Sequence, residues 1–180
     1  MNHEKIINDI LADLKSLSLN NPNERLPKEE QIRSRMYASL IGDHSYVSVE
    51  RGYYPIEDGN SSECDLWLKN NDGSEAWVEI KRCWSGKGLI DKPKEQLESW
   101  TEDINKLSHL PTNTERYFIL IGVFEHDPKI FPRKSKVLSN IDTFHTEHEI
   151  LFSYKPMHWR NSSINFVCCW CFKWKYEEKI

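Results

Sequence analysis

No stretch of this sequence approaches the roughly 18 consecutive apolar residues that a membrane-spanning helix needs. Its opening, MNHEKIINDI, has charges spread through it and lacks the apolar centre of a secretory signal. An excess of positive charge is also lacking. Lys and Arg number 24 against 28 Asp and Glu, a formal net charge of −4, so no overall basic field announces nucleic acid. An acidic total still leaves room for a local basic rim, and a metal site itself requires carboxylates. Five cysteines make an odd number with no secretory leader ahead of them, so a reducing, cytoplasmic setting is expected rather than a disulfide framework. The spacing of zinc-type residues is poor as well. His145, His148, Cys168, Cys169 and Cys171 are the right residue types, but Cys168 and Cys169 would point to opposite faces of a strand. They read as core cysteines with surface histidines. Repeats, low-complexity tracts and linkers are missing too, which leaves a single domain over residues 1–180.

What is present is an ordinary globular composition. Hydrophobic residues make up 38% and charged residues 29%, and the 12% aromatic content, with seven Trp, argues for a packed interior. Ile6, Ile7, Ile10, Leu11 and Leu14 fall at helical spacing and predict an amphipathic helix over residues 3–17. A second helix is expected to start near Pro27, with Glu29 and Glu30 in its first turn. Ile32, Met36 and Leu40 form its apolar stripe. The period then changes to two. Tyr46, Val47 and Val49 suggest a strand, and residues 64–69 and 75–81 suggest two more around Asn71-Asp72-Gly73. A helix after Pro93 carries Leu97, Trp100, Ile104 and Leu107 on one face, and residues 117–124 read as a strand buried on both faces. Phe131, Phe144 and Phe152 follow without a clear period, and residues 164–175 read as a final strand. The order helix, strand, hairpin, helix, strand predicts an α/β sandwich, a central mixed β-sheet flanked by helices.

The hairpin carries the chemistry. Gly73 suits the left-handed position of a three-residue loop, and a turn centred on Asp72 sets Leu66 opposite Val78, Trp67 opposite Trp77 and Asp65 opposite Glu79. Leu66, Leu68, Val78 and Ile80 then share one face, and Asp65, Glu79 and Lys81 the other. Like charges facing each other across a sheet destabilise it. A hard divalent cation such as Mg²⁺, which takes oxygen ligands, would turn that repulsion into a binding site. Lys81 beside it could stabilise negative charge developing on phosphorus or orient an attacking water. Metal-activated water attacking a phosphodiester is the reaction these parts suit.

Asp65, a hairpin, and then Glu79-Ile80-Lys81 resemble the PD-(D/E)xK nuclease superfamily, with Cys64 where the Pro of that motif is usual. Upstream, the helix that opens with Glu29 and Glu30 is similar to the one on which many members place an additional carboxylate. Downstream, Gln96-Leu97-Glu98-Ser99-Trp100 resembles the Q-x-x-x-Y element of one branch, with Trp100 in place of Tyr. The resemblance spans residues 27–124, with the helix over 3–17 before it and a C-terminal extension, 125–180, behind. It implies a restriction-endonuclease-like three-layer sandwich and a nuclease dependent on Mg²⁺ or Mn²⁺ that acts on DNA. Asp65, Glu79 and the Ile80 carbonyl would be the ligands, Lys81 the base or charge stabiliser, and Gln96 with Glu29 or Glu30 accessory groups.

A basic loop follows the hairpin. Arg82, Trp84 and Lys87, with Lys92 and Lys94 beyond, suit a nucleic-acid backbone and an unstacked base. Lys129–Lys136 offers a second contact surface. Arg33 and Arg35 could touch phosphates but read as solvated residues of an exposed helix, and Glu50, a third carboxylate that could reach the site, reads as structural. Two readings therefore stand: a metal-dependent nuclease, and a catalytically silent nuclease-fold module that binds nucleic acid or a protein partner. Cutting both strands of a duplex commonly needs two sites, which calls for a homodimer or a partner subunit.

Overall fold

The computed structural model describes residues 3–20, 28–53, 63–83, 94–111, 113–124, 148–159 and 163–174. Helix α1 (His3–Asn20) buries Ile6, Ile7, Ile10, Leu11 and Leu14, the stripe its spacing predicts. Helix α2 (Glu29–Leu40) starts where the Gln31 side chain accepts the Lys28 N–H at 2.7 Å, and buries Ile32, Met36 and Leu40. Strands β1 (Tyr46–Gly52), β2 (Glu63–Lys69) and β3 (Glu75–Cys83) follow, then α3 (Lys94–Ser108), β4 (Thr114–Phe124), β5 (His148–Trp159) and β6 (Ser163–Trp174).

The strands form one six-stranded mixed sheet in the order β1-β2-β3-β4-β6-β5. β3 and β4 run parallel, and every other neighbouring pair is antiparallel. Parallel neighbours need a crossover rather than a hairpin, and α3 lies within the one that joins β3 to β4. Alternation sorts the side chains. Leu66, Leu68, Val78, Ile80, Tyr117, Ile119 and Ile121 join α1 and α2 in one core. Trp67, Trp77, Glu79 and Phe118 have the opposite parity, and α3 sits on their side, with Trp100, Ile104 and Leu107 buried. A separate cleft between α1 and α2, lined by Ile6, Leu14, Ile32 and Met36 among others, includes none of the hairpin residues.

Residues 125–180 contribute two strands to this sheet, where the sequence pattern shows one. β5 escapes a period-two reading because Lys155-Pro156 interrupts it, and Pro has no N–H for a ladder. The sheet accommodates Pro156 because β5 is its edge strand. Phe152 lies in β5 opposite Trp170, while Phe131 and Phe144 fall outside the described residues. Among the described residues, no helix is long and apolar enough to cross a membrane.

Candidate active site

The β2–β3 turn has the chemistry its sequence implies. Gly73 sits at φ 86°, and its N–H reaches the Asn70 carbonyl at 3.0 Å. The Asp72 carboxylate accepts from the Ser74 N–H at 2.9 Å and from the Ser74 hydroxyl at 2.7 Å. The resulting register pairs Leu68 with Ala76, Trp67 with Trp77 and Leu66 with Val78, as a turn centred on Asp72 requires.

Beyond Leu66 and Val78 the hairpin parts. The first residues of β2 keep pairing with β1, Cys64 with Arg51 and Glu63 with Gly52. From Glu79 to Cys83, β3 continues against β4. Asp65 and Glu79 are the next residues on the two diverging strands, so the sheet forks at the carboxylates. In the fork the Asp65 side chain does what a strand carbonyl would otherwise do: its Oδ2 accepts the Ile80 N–H at 2.7 Å. That bond satisfies a backbone donor in a buried setting and fixes the orientation of Asp65.

The other Asp65 oxygen is also engaged. Oδ1 accepts from Arg33 Nη1 at 3.1 Å, while Arg33 Nη2 reaches Glu50 Oε1 at 2.6 Å. Arg33 is therefore not a solvated helix residue: its side chain is 17% exposed and bridges two acids on neighbouring strands. Glu50, across from Asp65 on β1, drops out of the β1–β2 ladder and has φ 52°. A left-handed backbone at a residue with a Cβ costs roughly 1–2 kcal/mol, and the ion pair with Arg33 is the interaction that accompanies it here.

Glu79 is 2% exposed, and the Lys81 charge acts on it less strongly than burial and Asp65 do. The Tyr53 hydroxyl donates to its Oε1, and the Tyr53 ring stacks on Trp77 with centroids 5.3 Å apart. Burial first, then the neighbouring Asp65, push the Glu79 carboxyl up to about 9, so it keeps its proton at neutral pH. Burial and Glu79 likewise raise the Tyr53 phenol. Lys81, two residues along β3, lies 2.8 Å from Asp103 on α3 and 3.8 Å from Glu29 on α2. Burial alone would lower its amine, but Asp103, Glu29 and Glu79 outweigh burial and raise it, so Lys81 stays a cation.

Of the two candidate acids on α2, Glu29 approaches the cluster. Its carboxyl is raised by burial, against the opposing pull of Lys81. Glu30 is exposed, and its carbonyl accepts the Ser34 hydroxyl. Arg82 is half-buried on β3, and its charge acts on Glu29. Gln96 lies on α3, but its side chain is outside the described residues, as are Trp84, Lys87, Lys92 and the stretch 129–136. Among the zinc-type residues, Cys168, Cys169 and Cys171 are buried, and His145 is outside the described residues.

Three site residues have no signal in the sequence motif: Tyr53, Asp103 and Arg33. Tyr53 just past β1, Asp103 on α3 and Arg33 on α2 each reach the hairpin through a side chain. Among the described residues, no group of three or more His, Cys, Asp or Glu is arranged to hold a metal ion. Asp65 and Glu79 are oxygen donors of the kind a hard cation takes, but Glu79 carries a proton and Asp65 is paired with Arg33, so an ion would have to displace both. No family model, curated protein or solved structure matches the chain.

Proposed function

We propose that the chain is a divalent-metal-dependent nuclease of the PD-(D/E)xK type, with a restriction-endonuclease-like fold, that hydrolyses phosphodiester bonds in DNA. The observation that carries this reading is the fork: Asp65 and Glu79 on parting strands, with the Lys81 cation beside them. The order of elements around it supports the fold assignment: an acid-bearing helix, a hairpin, and a crossover helix leading into a buried parallel strand.

Asp65, Glu79 and the Ile80 carbonyl would hold Mg²⁺ or Mn²⁺, which supplies an activated water and a counter-charge for a phosphate oxygen. Asp65 is held in orientation by the Ile80 N–H, and Glu79 by the Tyr53 hydroxyl. Lys81, kept protonated by Asp103 and Glu29, is placed to stabilise negative charge on phosphorus rather than to remove a proton. Glu29 is the accessory carboxylate and positions the Lys81 amine. Arg82, Trp84 and Lys87 form the nucleic-acid contact in this reading, and duplex cleavage would use a homodimer or a partner subunit.

The test is cleavage of supercoiled, linear and single-stranded DNA, with RNA alongside, in Mg²⁺ or Mn²⁺ and in chelator. DNA cleavage that needs the metal and falls about 100-fold or more in Lys81→Ala is the expected outcome. Unchanged cleavage by Lys81→Ala would sink the mechanism. A second reading, a silent module of the same fold, is favoured by one observation: both Asp65 oxygens already have protein donors. Absence of Mg²⁺ and Mn²⁺ binding would select it.

A further inference from the structure

We propose that Arg33 is a built-in counter-cation of the metal site, competing with the divalent ion for Asp65 and parking on Glu50 when the ion binds; this rests on the nuclease reading above. Asp65 has two oxygens with unequal partners. Oδ2 accepts the Ile80 N–H at 2.7 Å, a bond anchored in the sheet. Oδ1 faces Arg33 at 3.1 Å, the longer of the two contacts, and this partner is a side chain rather than the backbone of the sheet. An ion approaching Asp65 therefore meets Arg33 at the oxygen it needs.

Arg33 has somewhere to go. Its second nitrogen is 2.6 Å from Glu50, so releasing Asp65 leaves the guanidinium still paired. Glu50 is 54% exposed and stands on the edge strand, away from the crowding that surrounds Glu79. Its left-handed backbone, at φ 52°, is the second sign that this position is built for a purpose. A guanidinium holds two carboxylates at once through separate N–H groups, which an ammonium of similar reach does not do as well. Arg33 accordingly keeps Asp65 from standing bare before the ion arrives, at the cost of weaker ion binding.

A merely structural arginine predicts the opposite sign. Removing a residue that shapes the site should loosen metal binding, whereas removing a competitor should tighten it. The experiment titrates Mg²⁺ and Mn²⁺ alone into the wild-type chain and into Arg33→Gln, Arg33→Lys and Arg35→Gln, by calorimetry and intrinsic tryptophan fluorescence. Arg35 serves as the charge control, since it lies on the same helix but pairs with Asp13 at 3.0 Å. Arg33→Gln should bind the ion about tenfold more tightly, the scale of losing one charge-assisted hydrogen bond. Arg33→Lys should fall between it and wild type, and carries the same test should the Gln variant not fold. Arg35→Gln should change affinity by less than about twofold. Equal or weaker binding by both Arg33 variants overturns the proposal while leaving the nuclease reading intact. Equal tightening by Arg35→Gln also overturns it, by assigning the effect to long-range charge. Should no variant bind either ion, both the proposal and the nuclease reading fail.

Discussion

Glu79 is a carboxyl kept neutral by its surroundings, and that has a thermodynamic signature. Folding raises it from 4.5 to about 9, chiefly by burial, so the folded chain holds a proton that the unfolded chain gives up. The stability this group contributes is full below about pH 4.5 and is lost as pH rises through 9. Between those limits the metal-free protein should lose up to about 1.4 kcal/mol of unfolding free energy per pH unit on account of Glu79. Glu79→Gln, which cannot ionise, should flatten that part of the profile, and denaturant unfolding at several pH values compares the two. Identical slopes would show that Glu79 is not the group responsible. Asp65, its neighbour, is partnered differently: a guanidinium and a backbone N–H donate to its two oxygens. Two carboxylates one step apart on a fork are thus neutralised by different means.

The hairpin was the most legible element, because several local signals agree on it. Gly73 marks the turn, alternation from Leu66 to Leu68 and from Val78 to Ile80 sets the face, and together they fix the register. Since Gly73 sits at φ 86° with open space where a Cβ would go, Gly73→Ala should cost about 1 kcal/mol through backbone strain alone. Gly73→Asn should recover much of that loss, since Asn tolerates this region better. Thermal unfolding of the two variants checks the order. Other elements were legible in outline while their contacts were not. The helical spacing of Trp100, Ile104 and Leu107 locates α3, but nothing in that spacing says that Asp103 meets Lys81. Tyr53, just past β1, and Arg33 on α2 are ordinary residues until the fold brings them to Glu79 and Asp65. β5 was hidden for a local reason, the Lys155-Pro156 break, which an edge strand tolerates and a central one would not.

At the scale of the whole molecule, α1 and α2 cover one face of the sheet and α3 covers the side that bears the site. Leu11 is fully buried in the common core of α1, α2 and the sheet, far from the carboxylates along the chain. Leu11→Ala should therefore cost about 3 kcal/mol of stability, the usual penalty for a core leucine whose cavity does not collapse. The fork itself should be unaffected, so metal affinity of the folded variant should match wild type. Urea unfolding together with metal titration separates the two effects. A loss of affinity in the folded fraction would mean that the α1 face and the site are coupled.

The Ile80 N–H gives the fork its own spectroscopic probe. Ile80 lies in the register of β3 with β4, yet its N–H goes to a side chain, the Asp65 carboxylate. In amide proton–nitrogen spectra, whatever draws Asp65 away should move the Ile80 resonance, while Trp77 and Val78, held in the closed part of the hairpin, stay in place. Solvent exchange should follow the same division. A single labelled isoleucine can thus report when the jaws of the sheet change their grip.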